Sequence, residues 1–463
     1  MAQGATAEQA LAAANGVDGL TAFVPFFFND AEDVTTRSIS IFGEAYYDLT
    51  DTIKLTGGIR RNFDRKSSLE RGNFLESPTS AIPFIPVGTS DISGLVDTIN
   101  PFVFREGDFN ATTGRGVIQW TPSDNAEVYA SYTRGFKAGG FNPVASASFP
   151  GIAPIFDPEV INAFELGVKS VLLDGLLQAN LTGYYYDYGG LQVSNFQQQT
   201  SVNENIDARV FGVEGEFVLR PTDDLIFNST ISYLNAQITD EDFTSINTLN
   251  PTAGNANAIA LKDLTNASLC VLEQNPAELA ALGLTSLIGA DLSTINPAFA
   301  AGNALIASPF TACGALEGFL EGSFNPAVGT NFEVTQLGLA QSVDGNDLPA
   351  SPEFTISGGA QYTFHLGNGI TVTPRADAYY QSSSFSTIFN ESQDVLDSYV
   401  IANAQVMIAP EDGNWFVRGF VQNFTDNDVV LGISTISGQT SGNFSQGFLS
   451  EPRRWGIGVG LNF

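Results

Sequence analysis

From about Thr36 to the last residue, large apolar side chains recur at every second position in runs bounded by turn residues. A period of two predicts β-strands rather than helices, because successive strand side chains point to opposite faces. The last nine residues show it most plainly: Trp455, Ile457, Val459, Leu461 and Phe463 share one face, and Gly456, Gly458, Gly460 and Asn462 share the other. Likewise Ile53, Leu55, Gly57 and Ile59 oppose Lys54, Thr56, Gly58 and Arg60, while Leu177, Ala179, Leu181 and Gly183 oppose Gln178, Asn180 and Thr182. Leu225, Phe227, Ser229, Ile231 and Tyr233 share a face, and Trp415, Val417, Gly419 and Val421 alternate with Phe416, Arg418, Phe420 and Gln422. Counted this way, the chain holds about thirteen strands.

Connections between these strands alternate short and long. Short ones lie at Thr50-Asp51, Pro122 to Asn125, Leu173 to Gly175, Pro221 to Asp224, Gly367 to Gly369 and Glu411 to Asn414. Short turns on one rim and long loops on the other is the layout of a transmembrane antiparallel β-barrel, and the fold class expected is all-β of that kind. Ile53, Leu55, Ile118, Leu181, Leu225, Phe227, Val417, Ile457, Val459 and Leu461 are then expected to face lipid. The sequence has no run of eighteen apolar residues, but a strand that alternates never produces one. Residues 1–35 are expected to be an outer-loop remnant or a disordered N-terminus, and 36–463 the barrel portion. A long outer insertion at 241–347 carries one basic residue, Lys262, and a helix-like stretch from Pro276 to Ile288.

Composition narrows the reading. With 36 Phe, 46 Gly, 21 Pro and only 15% charged residues, the chain favours strands and turns over long helices. A net charge of −31 with 19 Lys and Arg excludes a nucleic-acid surface, and reads either as acidic, solubilising loops or as a cation site. Cys270 and Cys313 are compatible with one disulfide in an oxidising compartment or with two separate thiols. Met1 to Gly19 has neither the basic start nor the apolar core of a secretory signal.

Four stretches carry a resemblance. Val128-Tyr129-Ala130-Ser131-Tyr132-Thr133-Arg134-Gly135-Phe136-Lys137-Ala138-Gly139-Gly140-Phe141-Asn142 resembles a segment of TonB-dependent outer-membrane receptors. Phe164 to Ser170 with Tyr184 to Tyr188 and Leu191-Gln192-Val193 resembles that family's next hairpin, and Gly212-Val213-Glu214-Gly215-Glu216 the one after. Val421 to Asp426, with Pro452-Arg453-Arg454-Trp455 to Phe463, is similar to its C-terminal signature. The resemblance implies a barrel of about 22 strands closed around an N-terminal plug. About thirteen C-terminal strands would be present here with the plug absent, as in a fragment of a larger receptor.

It further implies an energised receptor in the outer membrane of a Gram-negative bacterium, importing a bulky, scarce nutrient, first of all a ferric siderophore. The alternatives within the class are cobalamin or a glycan. Outside it stand a passive porin or adhesin barrel and a soluble β-rich binding protein. Implied partners are outer-membrane lipid and lipopolysaccharide, the nutrient, and the TonB complex through an N-terminal region. No nucleic acid and no cofactor are expected.

No enzyme constellation is present. The single histidine, His365, rules out a His-rich metal site and is expected at a rim. No GxSxG elbow or P-loop occurs, and the glycines at 456, 458 and 460 lie in a strand with no helix following. For an anionic ferric complex the candidate contacts are Arg60, Arg115, Lys137, Arg375 and Arg418, which parity puts opposite the apolar face. The aromatic candidates are Phe136 and Phe141. Arg134 shares a face with Val128, Ala130 and Tyr132. The competing reading gives the cations to carboxylates of the wall or plug, and the aromatics to packing.

Overall fold

The computed structural model describes residues 26–461 apart from 76–101, 144–152, 198–199, 248, 264–268, 282, 289–309, 312, 314–315, 318–331, 337, 368 and 437–443. Thirteen strands form one continuous antiparallel path, each bonded to the next in chain order. They are β1 (Phe26–Thr50), β2 (Ile53–Leu75), β3 (Ala111–Ser123), β4 (Ala126–Lys137), β5 (Glu159–Leu172), β6 (Leu177–Gln197) and β7 (Thr200–Leu219). The path continues through β8 (Leu225–Ile238), β9 (Phe354–Tyr362), β10 (Ile370–Gln381), β11 (Tyr399–Pro410), β12 (Trp415–Gln422) and β13 (Arg454–Leu461). Val103–Asp108 pairs with β2 and Phe364–Leu366 with β10, both off this path. Among the described residues, β1 and β13 each have one edge without a neighbouring strand in this sheet.

The first strand begins at Phe26 rather than near Thr36, so part of the segment expected to be an outer loop belongs to the wall. The polar run Asn29 to Asp33 breaks the alternation, yet the ladder to β2 continues through it with one register shift between Ala31 and Asp33. Residues 1–25 and the final Asn462 and Phe463 lie outside the described residues. The connection after β2 also starts later than its composition suggests, because β2 runs on to Leu75 and Val103–Asp108 returns to pair with it.

Directly opposed residues in an antiparallel pair share a face, so the register carries one orientation around the sheet. Val459 opposes Val417, which opposes Ile408, which opposes Val372. On the other side Leu181 opposes Val168, Val168 opposes Val128, Val128 opposes Trp120, and Trp120 opposes Ile53. All ten residues expected to face lipid fall on this one face. Ile457 and Val459 keep 74% and 70% of their surface accessible, which is stable only against an apolar medium. On the same face Tyr132, Phe164, Tyr185 and Phe211 are successive register partners across β4 to β7, and Tyr233 and Phe354 extend the aromatic band into β8 and β9. Such a row marks a membrane interface. Among the described residues no helix is long and apolar enough to cross a membrane.

The compact packing lies outside the wall. In the insertion, the strands Ala258–Asp263, Leu269–Glu273 and Glu333–Gln336 and the pair Phe310–Thr311 make a small sheet. Leu261, Leu272, Leu279, Leu287 and Leu316 are buried beneath it, around a disulfide joining Cys270 to Cys313 with Cα atoms 5.9 Å apart. The helix there covers Pro276–Ala281 only, because Gly283 turns to a positive φ of 72° and stops it short of Ile288. A second cluster, Ile206, Ile238, Val343 and Ile388, seats the insertion's base against the outer ends of β7 and β8.

Candidate functional site

The face opposite the apolar one is polar, and glycines let its side chains cross it. Arg115 on β3 bonds Glu44 on β1 through Nε and Nη2, passing Gly58 on the strand between them. Arg375 on β10 repeats the device: its Nη2 donates to Asn228 Oδ1 on β8 at 3.0 Å, across Gly359 on β9. Tyr129 lies over Gly167 to reach Thr182 at 3.1 Å. Tyr184 lies over Gly212, stacked on Tyr186 with ring centroids 5.0 Å apart, and Tyr186 donates to Glu165 at 2.7 Å. The last strand's glycines are sockets too, since the Phe416 and Phe420 rings lie against Gly460 and Gly456.

One recess stands out on this polar face. A cavity of about 520 Å³ is lined by Asp377, Asn403, Gln405, Arg418, Gln422 and Arg454. Asn403 donates to Asp377 at 2.9 Å and accepts from the Asn423 backbone at 3.0 Å, and Arg454 Nε donates to Gln422 at 2.7 Å. Charge and hydrogen-bonding capacity are therefore concentrated at β10 to β13. Sequence reasoning passed over Arg454, although its alternation with Trp455 and in-phase spacing with Gly456 put it on the same face as Arg418.

The candidate contacts do not converge on one point. Arg60 bonds Asn62 at 2.7 Å and lies over the Phe42 ring, far along the sheet from Arg418. Arg115 is engaged by Glu44, and Lys137 stands opposite Glu159 at the outer end of β4. Phe136 opposes Val160 on the apolar face, so it is separated from Lys137 by the wall and leaves the lumenal set. Phe141 sits in the short pairing of Gly140–Phe141 with Ile155–Phe156, edge-on to Phe109 at 6.2 Å between ring centroids. Arg375 joins the recess through Asp377, its Nε 3.7 Å from Oδ1.

The outer loops hold one another. Asn247 and Asn250 of the insertion both donate to Glu391 in the β10–β11 connection, at 3.0 and 2.8 Å. Asn346 donates to the Ile388 carbonyl at 2.8 Å, while Asn390 and Asp347 exchange two bonds. Asn142, almost fully buried, ties the β4–β5 loop to β7 by donating to Asn203 O at 3.0 Å and accepting from Asn203 N at 2.7 Å. At the short-turn rim, outside the membrane-spanning segments, His365 contacts Glu411 at 3.1 Å and Asp224 at 3.0 Å. These carboxylates, Glu411 foremost, hold the imidazole's pKa above its ordinary value. Among the described residues no three His, Cys, Asp or Glu side chains converge as metal ligands.

The sequence matches the family described as TonB dependent receptor-like, beta-barrel, over residues 5–269. No curated protein matches it. Among solved structures, the ferric yersiniabactin uptake receptor FyuA from Yersinia pestis is similar with a TM-score of 0.55 and 13% identity, covering 93% of this chain and 46% of its own. The siderophore receptor PiuA from Acinetobacter baumannii gives 0.51 and 15%, covering 92% and 42%, and the copper transporter OprC gives 0.52 and 12%, covering 93% and 48%. The chain thus spans less than half the length of these three structures. Their identities are low and speak to fold alone. With more than half of its residues matched by the family, and a wall whose apolar and polar faces alternate as a membrane barrel requires, the chain belongs to the TonB-dependent receptor-like β-barrel family.

Proposed function

We propose that this wall serves a TonB-energised receptor of the Gram-negative outer membrane, which takes up a bulky, scarce nutrient, a ferric siderophore being the cargo that fits best. The observation that carries this reading is charge placement. In a chain of net charge −31, Arg60, Arg115, Arg375, Arg418 and Arg454 all take the polar face, and two of them line the recess at β10 to β13. Anionic iron complexes suit such a surface. Copper suits it less, because soft ligands are scarce: the chain has one His and two Met, and its two Cys are joined to each other.

The test is binding by the folded protein in detergent, with anionic ferric siderophores, cobalamin and oligosaccharides compared. Saturable binding of a ferric siderophore, weakened in R418Q/R454Q and weakened further by salt, supports the reading. Saturable binding of cobalamin or a glycan instead, indifferent to those two arginines, would replace it.

A further inference from the structure

The long-loop rim holds a carboxylate with only one of its oxygens engaged. In the β10–β11 connection, Ser384–Phe385 pairs with Val395–Leu396, and the Ser386 N–H extends the ladder by donating to the Asp394 carbonyl at 2.8 Å. Ser384, Ser386 and Asp394 therefore share one face of this hairpin. Asp394 is 1% exposed and Ser384 6%, so both are withdrawn from solvent. Asp394 Oδ2 accepts from Thr387 Oγ1 at 2.6 Å and from the Glu391 N–H at 3.3 Å. Its Oδ1 accepts from no group, and neither Ser384 Oγ nor Ser386 Oγ has a hydrogen-bond partner. Among the described residues four buried side-chain polar atoms lack one, and three of the four are gathered here.

The charge is unanswered as well. No Lys, Arg or His occurs from residue 376 to residue 417, and the insertion bonded to this loop has only Lys262. Among the described residues no ion pair includes Asp394. A buried carboxylate is stable when both oxygens are hydrogen-bonded or a positive charge matches it. A water could join the three oxygens but would leave the charge unmatched, whereas a cation meets both needs. Donors that are all oxygen select a hard cation, and a closed site with little room for retained water favours calcium over magnesium.

We propose that Asp394 Oδ1, Ser384 Oγ and Ser386 Oγ bind a calcium ion. Asn390 and Glu391, which bond the insertion, lie in the turn between the two arms of this hairpin, so the ion fixes the turn that holds the insertion. Ser383, Ser392 and Gln393 beside the site are exposed and give the ion its way in.

The full chain, folded in detergent and stripped with a chelator, is dialysed against radioactive calcium, with magnesium present to suppress diffuse binding to the acidic surface. Saturable uptake is expected with a Kd of about 10⁻⁴–10⁻³ M, because a single carboxylate supplies the charge. D394N should weaken it about tenfold and S384A/S386A about threefold, while D397N, at an exposed carboxylate nearby, should leave it intact. Calcium should also slow protease cleavage of the β10–β11 connection in wild type and D397N but not in D394N. No saturable uptake and no change in cleavage would mean that a buried water alone joins the three oxygens, which overturns the proposal. Uptake equal in wild type, D394N and S384A/S386A overturns it too, by placing the ion elsewhere. Should D394N fail to fold, S384A/S386A, which removes two hydroxyls and no charge, decides between these outcomes.

Discussion

Arg115 holds both carboxylate oxygens of Glu44, at 2.8 and 2.9 Å, from two strands away. Strands lie about 4.8 Å apart, so partners on β1 and β3 meet only if the strand between them presents no side chain. Gly58 provides that gap, and a Cβ built there would already come within 3.0 Å of Glu44 Oε2.

Replacing Gly58 with Val should therefore break the pair as surely as removing either charge. A double-mutant cycle of E44Q and R115Q should show favourable coupling that shrinks with salt in wild type and vanishes on the G58V background. Coupling that survives G58V would mean that the two groups meet by another route.

Gly167 and Gly212 on the polar face should differ sharply from Gly57 on the apolar face. A Cβ at Gly167 would sit 2.4 Å from the Tyr129 ring, and one at Gly212 would sit 2.3 Å from the Tyr233 carbonyl oxygen, whereas one at Gly57 meets nothing within 4 Å. G167A and G212A are expected to cost about 1–3 kcal/mol each as overpacking, with G57A near neutral. Urea unfolding from lipid vesicles measures all three, and a costly G57A would contradict the assignment of faces.

Val459 on β13 is exposed on the apolar face between Ile457 and Leu461. An arginine there should cost about 2–4 kcal/mol if the site lies near the bilayer midplane. The same vesicle assay checks it, with V459L expected to be nearly silent.

Cys270 and Cys313 close a segment with a separation of 43 residues. By chain entropy that link is worth about 4 kcal/mol to the small core around it. C270S/C313S should make the insertion cleavable by protease at concentrations that leave the wild type intact, with the wall still resisting. Equal protease resistance would show that the leucine cluster suffices alone.

His365 is the only histidine, so its titration is read without ambiguity. Glu411 and Asp224 raise its pKa in the folded state. The stabilisation is thus whole below the ordinary histidine value and is lost as pH rises through the raised one. The imidazole proton resonance should titrate above the ordinary value of about 6.5, and E411Q should lower it. A midpoint at or below the ordinary value would remove the ionic clasp.

Much of the wall was legible because a strand in a membrane barrel is sorted by one simple rule, apolar out and polar in. Leu181, Phe227 and Ile457 obey it without help from neighbours. Phe136 stayed open because aromatic chemistry suits either a ligand or an interface; its parity with Tyr132 and Arg134 already sets it on the apolar side, and its register with Val160 agrees. The beginning of β1 was hidden by the polar run Asn29 to Asp33, whose ladder depends on β2 rather than on local pattern. The recess could not be read as a recess, since Asp377, Arg418 and Arg454 meet through strand order and not through spacing along the chain.

The rings laid over glycines also act as a check on strand setting. If β5 slipped by two residues against β4, Tyr129 would face Glu165 or Lys169 in place of Gly167, and the ring would have nowhere to lie. Tyr184 likewise would meet Val210 or Glu214 in place of Gly212. Misaligned hairpins in the middle of the wall are thereby rejected by steric conflict, which glycine-rich strands otherwise lack. In the last strand glycines at 456, 458 and 460 recur at the slip distance, yet a slip of two would bring Phe420 opposite Arg454 or carry Phe416 past Gly460, so only the observed setting lays both rings over glycine, with Arg454 donating to Gln422 at the outer end.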